Sequence, residues 1–178
     1  LGYTLIPLNG KIPIIPAWTT ALPASLPGIE ELKKRNGNYG VRLTNADLVI
    51  DVDPRNFAVL GTDAEGKRVY DKPLARLLAA CGGAGSLSSF TVRTGGGGLH
   101  IYFKKPTGAA VAHTLKEYPG IEFKSVGRQV VGPGSVHPET GKLYDVAVDA
   151  PVAAASAGLL ALIPIQTKAA NPQNEIGK

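Results

Sequence analysis

Short stretches of this chain alternate apolar and polar residues with a period of two, the pattern of half-buried strands whose successive side chains face opposite ways. The strongest is Asp47-Leu48-Val49-Ile50-Asp51-Val52-Asp53, anchored by its apolar run and closed by Pro54-Arg55-Asn56. In Leu99-His100-Ile101-Tyr102-Phe103 the three apolar residues face one way, and His100 and Tyr102 the other. In Ile121-Glu122-Phe123-Lys124 the pair Ile121 and Phe123 faces a core, leaving Glu122 and Lys124 opposite. Further strands are predicted over residues 3–8, 39–43, 89–94, 128–131 and 142–148. The first is read as an edge strand stopped by proline, turned by Asn9-Gly10 into Lys11-Ile12-Pro13. Helical spacing appears over residues 29–35, with Ile29 and Leu32 on one face and Asn36-Gly37 as the stop, and over residues 72–81, with Leu74, Leu77 and Leu78 ended by Gly82-Gly83. Residues 152–162 read as a third helix. Residues 57–71 are polar and turn-rich and read as a mobile loop. No internal repeat is present. From Pro164 the chain loses its pattern, so residues 1–163 form the expected core and 164–178 a linker or tail.

Composition narrows this to an α+β fold. With 178 residues, 44% hydrophobic, the chain can bury one core or two small lobes around a cleft. Gly 22 and Pro 14 against 6% aromatic residues favour turns and short strands over a helix bundle. Lys+Arg 19 against Asp+Glu 14 gives a net charge of +5, which favours polyanionic partners. The lone Cys81 can form neither an internal disulfide nor a cysteine-rich zinc cluster; it reads as a packing thiol and suits a reducing cytoplasm. No apolar run of about 18 residues occurs, so no membrane span is expected. The sequence contains no Met and starts at Leu1, and so reads as a fragment of a longer protein.

The candidate chemistry lies on the polar faces of the three best strands. Asp51 and Asp53 point the same way, and two adjacent carboxylates repel unless a positive charge lies between them. Oxygen-only ligands favour Mg²⁺ or Mn²⁺, which keep open positions for phosphate oxygens. If the three strands share a sheet, one face collects three carboxylates, a histidine and a lysine. The competing reading is a solvated outer sheet face. Gly95-Gly96-Gly97-Gly98 could approach a ligand closely or simply turn a hairpin, and it lacks the Gly-Lys-Ser/Thr ending of a P-loop. Ser135 and His137, in Val131-Gly132-Pro133-Gly134-Ser135-Val136-His137, offer a hydroxyl and an imidazole. His113 sits in a polar loop with no acidic neighbour in sequence and reads as incidental.

Together these segments resemble the primase-polymerase domain of the archaeo-eukaryotic primase superfamily, found in plasmid, phage and mobile-element replication proteins. The resemblance runs from about Tyr3 to Tyr144 through Ile6-Pro7-Leu8 with Lys11-Ile12-Pro13 and Trp18, Tyr39-Gly40-Val41-Arg42-Leu43, the Asp51 strand, the Thr94 to Phe103 segment, the Glu122 strand, the Val130 to His137 segment and Gly141-Lys142-Leu143-Tyr144. It implies an RRM-like catalytic sheet packed with a second small α/β unit, the active site lying between them. It implies template-directed nucleotidyl transfer, as primase or DNA polymerase, from nucleoside triphosphates onto a primer on single-stranded DNA. By the same resemblance Asp51 and Asp53 are paired metal-binding acids, His100 contacts the nucleotide phosphates, and Glu122, where relatives commonly have Asp, is the third acid. Lys124, Arg128, Ser135 and His137 fall where the family tends to hold the incoming nucleotide. A helicase-like domain is an expected neighbour in the full-length protein. Arg42, Arg55, Lys104 and Lys105 are candidates for a template path.

Three other activities fit parts of the pattern. A metal-dependent glycosyltransferase also uses D-x-D, though the His100 and Glu122 strands favour a polymerase. A metal-dependent nuclease would shorten a primer rather than lengthen it. A non-catalytic RRM-like module would present exposed aromatics at the centre of its sheet.

Overall fold

The computed structural model describes residues 2–83 and 85–163, so the tail over 164–178 lies outside the described residues. In chain order the elements are β1 (Thr4–Asn9), β2 (Ile12–Pro13), α1 (Leu26–Lys34), β3 (Asn38–Arg42), β4 (Asp47–Val52), a 3-10 turn (Pro54–Asn56), β5 (Val59–Thr62), β6 (Arg68–Tyr70), α2 (Pro73–Ala80), β7 (Thr91–Arg93), β8 (Leu99–Lys104), β9 (Ile121–Lys124), β10 (Gln129–Val131), β11 (Asp145–Val148), β12 (Ala153–Ala154) and α3 (Ala157–Leu162). The fold is α+β, with largely antiparallel sheets. No helix among the described residues is long and apolar enough to cross a membrane.

The three best strand patterns do share a sheet. Its order is β11-β7-β8-β4-β9, and β12 adds to β8 in parallel beyond the end of β7. β4 is hydrogen-bonded on both edges, which suits a strand whose only partly exposed residue is Asp51. One face of this sheet carries Leu48, Ile50, Val52, Ile101, Phe103, Ile121 and Phe123, which bury against Leu77 of α2, Cys81 and Leu159 of α3. The other face is divided. Val49, Val92 and Tyr102 pack against Ile6, Leu8, Val41 and Val130 of a second sheet ordered β10-β3-β1-β2. Farther along the same face the second sheet no longer covers the strands, and there the polar residues stand. A fully solvated outer face is therefore excluded, because half of that face is core.

Four expectations need correcting. β1 is not an edge strand, since β2 and β3 flank it. Pro7 is tolerated there because its carbonyl accepts from Ile14, so its nitrogen also faces the β2 side, where the ladder covers only Leu8 and Asn9. Residues 57–71 form the β5–β6 hairpin rather than a loop. Residues 152–156 are not helical: Ala153 and Ala154 pair with Phe103 and Lys104, and the helix begins after Ser156, whose Oγ accepts from the Leu159 amide at 3.2 Å. Asp53 lies just past β4 rather than within it, where it caps the 3-10 turn.

Helix α1 shows how local sequence sets an element. Ser25 caps it by accepting from the Gly28 amide at 3.2 Å, and Pro27 sits in the first turn, where no amide is needed. It ends where Asn36 turns to φ +60° and the Gly37 amide donates to the Leu32 carbonyl at 2.9 Å.

Candidate active site

Strand register builds the site. Asp51 of β4 is paired directly with His100 of β8 on one side and with Glu122 of β9 on the other. Directly paired residues on adjacent antiparallel strands hold their Cα atoms about 5 Å apart with side chains on the same face, so an imidazole and two carboxylates form one row. Lys124 lies two residues along from Glu122 and joins that face. The row floors a cleft of about 420 Å³ between the two sheets, also lined by Lys11, Asp53, Arg55, Thr94, Gln129, His137 and Tyr144.

The repulsion expected among the acids is relieved by two basic side chains. Lys124 Nζ lies 2.7 Å from Asp51 Oδ2 and 3.1 Å from Glu122 Oε2, bridging the pair. Burial alone would lower the Lys124 pKa, but Asp51 and Glu122 more than offset it and hold it raised, so the group stays an ammonium. Asp53 belongs to Arg55. Its Oδ1 accepts from the Arg55 amide at 3.1 Å and from Nε at 3.0 Å, while its Oδ2 accepts from Arg55 Nη2 at 2.9 Å and from Asn56 Nδ2 at 3.3 Å. The Arg55 hydrogen bond is the main cause that keeps the Asp53 carboxyl below its ordinary range. Arg55 Nη1 also donates to Glu139 Oε2 at 2.9 Å.

His100 is 5% exposed, with Nε2 3.6 Å from Asp51 Oδ1 and a buried Nδ1 that has no hydrogen-bond partner among the described residues. Burial drives its pKa down against the opposing pull of Asp51, which leaves a neutral imidazole. Tyr144 sits between two imidazoles, its ring centroid 5.8 Å from that of His100 and 5.9 Å from that of His137. Its phenol is pushed up to about 12, first by burial and then by Asp51. Nδ1 of His137 accepts from the Glu139 and Thr140 amides at 3.3 and 3.4 Å, so the neutral ring carries its proton on Nε2. That atom faces Gly96.

The carboxylates suit a hard divalent cation in kind, and Lys124 demonstrates that Asp51 and Glu122 can share one positive charge. Among the described residues, however, no three His, Cys, Asp or Glu side chains are already gathered as a cation cage. Asp53 is turned away to Arg55.

The other candidate residues divide. His137 lines the cleft. Arg128 is exposed on the turn between β9 and β10 and does not line it. Ser135 is buried outside the cleft, its Oγ accepting from the Tyr39 amide at 3.2 Å and donating to the Tyr39 carbonyl at 3.4 Å, so it ties β3 to the segment after β10. His113 does have an acidic neighbour, Glu122 Oε2 at 3.6 Å from its Nε2, because residues 113–114 run beside β9. Of the basic residues considered for a template path, Arg42 donates to the Trp18 and Ala21 carbonyls, Lys104 pairs with Asp47, and Lys105 donates to the Asn45 and Ala109 carbonyls. Only Arg55 reaches the cleft. Lys11, Thr94, Gln129 and Tyr144 escaped the sequence reading as site residues, although Lys11, Thr94 and Tyr144 stand inside the segments that carry the resemblance.

The glycine run is a turn. Thr94 N donates to Gly98 O, Gly97 N to Thr94 O, and Gly98 N to Thr94 Oγ1, each at 2.9 Å. Gly95 and Gly98 are required by close approach: a Cβ would lie 2.4 Å from His137 Cβ in the first case and 1.9 Å from the Val52 carbonyl oxygen in the second.

No curated protein matches the sequence. The segments that build the cleft, from β1 to Tyr144, all fall within residues 1–158, which match the family described as bifunctional DNA primase/polymerase, N-terminal, and the chain belongs to that family.

Proposed function

We propose that this cleft performs template-directed nucleotidyl transfer, adding nucleotides from nucleoside triphosphates to a primer on single-stranded DNA. The observation that carries the reading is the in-register row His100–Asp51–Glu122 at the floor of a cleft that also holds Lys11, Arg55 and Lys124. We read the β7-β8-β4-β9 sheet, backed by α2 and α3, as the RRM-like catalytic half, and the β10-β3-β1-β2 sheet with α1 as the second unit. Family membership supports primase or polymerase chemistry over a glycosyltransferase or a nuclease.

Asp51, Asp53 and Glu122 would hold Mg²⁺ or Mn²⁺, which when bound would favour the attacking primer oxygen and neutralise the leaving pyrophosphate. The protein's own part is placement and charge. β4, fixed on both edges, holds Asp51 and its neighbours rigidly. The neutral His100 imidazole presents Nε2 to the cleft as a hydrogen-bonding group for a phosphate oxygen. Lys124 and Lys11 supply fixed positive charge, and the half of the face closed by Tyr102 and Val49 keeps the low-dielectric wall that strengthens it. A stacking module is disfavoured because Tyr102, the aromatic of that face, is 1% exposed and lies in the core.

The test is extension of a labelled primer on single-stranded template with nucleoside triphosphates and Mg²⁺ or Mn²⁺. The folded double variant Asp51→Asn, Asp53→Asn should lose on the order of 10³-fold in rate. Extension by that variant near the wild-type rate would overturn the proposal.

A further inference from the structure

We propose that Arg55 is an exchangeable counter-ion: it holds Asp53 shut against divalent cations in the nucleotide-free protein and moves to the triphosphate when nucleotide enters. The inference rests on the nucleotidyl-transfer reading of the cleft.

Asp53 makes four hydrogen bonds, three to Arg55 and one to Asn56, at 2.9 to 3.3 Å. A carboxylate has about four lone-pair sites, so this one has no capacity left for a metal ion. Asp51 differs in kind, since its counter-charge comes from Lys124, which Glu122 shares. To ligate a cation beside Asp51, Asp53 must therefore give up the guanidinium.

The surroundings of Arg55 allow that release. Its side chain is 46% exposed, and its remaining arm reaches Glu139, a residue 66% exposed on the segment after His137. The guanidinium thus spans the cleft mouth from the 3-10 turn to that segment. It also lies beside the glycine turn, where a Cβ on Gly96 would stand in ordinary contact with Cζ at 3.6 Å. A triphosphate in the cleft offers the partner that guanidinium fits best, paired oxyanions that take its fork bidentately. When a cation neutralises Asp53 and phosphate oxygens receive Arg55, every charge stays paired through the exchange. With cation alone, Arg55 would lose Asp53 and gain nothing. Cation binding in the absence of nucleotide is weak for that reason, and the two ligands are coupled through this one side chain.

The experiment titrates Mn²⁺ into nucleotide-free protein, following free Mn²⁺ by electron paramagnetic resonance, with wild type, Arg55→Ala, Asp53→Asn and the double variant Arg55→Ala, Asp53→Asn. Thermal melts confirm that each is folded. Arg55→Ala should bind Mn²⁺ about five- to a hundredfold more tightly than wild type, and the double variant should lose that gain. A fluorescent nucleoside triphosphate with Ca²⁺ should bind Arg55→Ala more weakly by a similar factor. Unchanged or weaker Mn²⁺ binding by Arg55→Ala, or a gain that persists in the double variant, overturns the exchange. The Mn²⁺ titration needs no turnover, so failure of wild-type primer extension would count against the nucleotidyl-transfer reading and leave this readout intact.

Discussion

Two aspartates on one strand show how partners decide a carboxylate's job. Asp47 opens β4 and is 1% exposed. Its Oδ1 accepts from Lys104 Nζ at 2.6 Å, and its Oδ2 accepts from the Thr44 amide at 2.8 Å and the Thr44 hydroxyl at 2.6 Å. Burial alone would raise its pKa, but the Lys104 and Thr44 hydrogen bonds outweigh burial and hold it below the ordinary 3.8. Asp47 is thus an anchor, while Asp51, four residues along, opens onto the cleft. Asp47→Asn is expected to cost about 2 kcal/mol, because it weakens a charged hydrogen-bond set and leaves one acceptor replaced by a donor. The sign with pH follows from the lowered folded value. The contribution is fully present above about pH 3.8 and fades as pH falls through the folded-state value, so the gap between wild type and variant in urea melts should be flat near neutrality and shrink in acid. A gap that persists unchanged to pH 2 would show that the carboxylate's charge is not what stabilises. At this scale the sequence was partly readable. Period-two alternation placed Asp51, His100, and Glu122 with Lys124 on the polar faces of their own strands, and the pairing of β4 with β8 and β9 brings those faces together. Alternation could not place Arg55 on Asp53, because that pairing depends on the 3-10 turn that follows the strand, nor bring His113 to Glu122, which requires the irregular segment before β9 to fold back beside it through the Thr114–Glu122 bridge.

Elements were legible where one face is buried and obscure where it is not. β4, β8 and β9 each turn an apolar face to the core under α2 and α3, so their sequence patterns are strong, even though β4 and β8 are buried at almost every position and only β9 alternates buried with half-buried residues. β5 and β6 are exposed at every position and pair only with each other, so no core imprints a period on them. β12 is two alanines long, too short for a period and made of good helix formers. The glycine turn between β7 and β8 was open to two readings, which its separate positions now distinguish. Gly97 has φ +88°, and a methyl added there would meet nothing within 4 Å, whereas a methyl on Gly98 would meet the Val52 carbonyl oxygen at 1.9 Å and Pro54 Cδ at 3.2 Å. Gly97→Ala should therefore cost only the backbone strain of a left-handed alanine, about 1 kcal/mol. Gly98→Ala must push apart the ends of β8 and β4, at about 2 kcal/mol or more, and displace Asp53 with them. Primer extension should fall at least tenfold in Gly98→Ala and much less in Gly97→Ala, once both are compared well below their melting temperatures. The reverse order would mean that the turn's outer tip contacts substrate and is more than a spacer.

The molecule as a whole is two sheets that share a core, and the cleft is the part of their interface left unfilled. Val49, Val92 and Tyr102 of one sheet are buried by Ile6, Leu8, Val41 and Val130 of the other. Neither sheet can then keep those residues from water alone, so the two should unfold together, as one body rather than as two units. Which strands join which sheet was not readable from the chain, because β10 returns to pair with β3 across the whole catalytic segment. Ile6→Ala tests the shared core without touching the cleft. Ile6 is 0% exposed on β1, and its truncation should cost about 2 to 5 kcal/mol. Trp18, the single tryptophan, packs against this same cluster and reports on the second sheet, while far-UV circular dichroism reports on both. In wild type and in Ile6→Ala the two signals should follow one denaturation curve, shifted to lower denaturant in the variant with an unchanged slope. If fluorescence instead lost structure first and circular dichroism later, the second sheet would be a separately folding unit, and the cleft would lie at a hinge between two bodies that move independently.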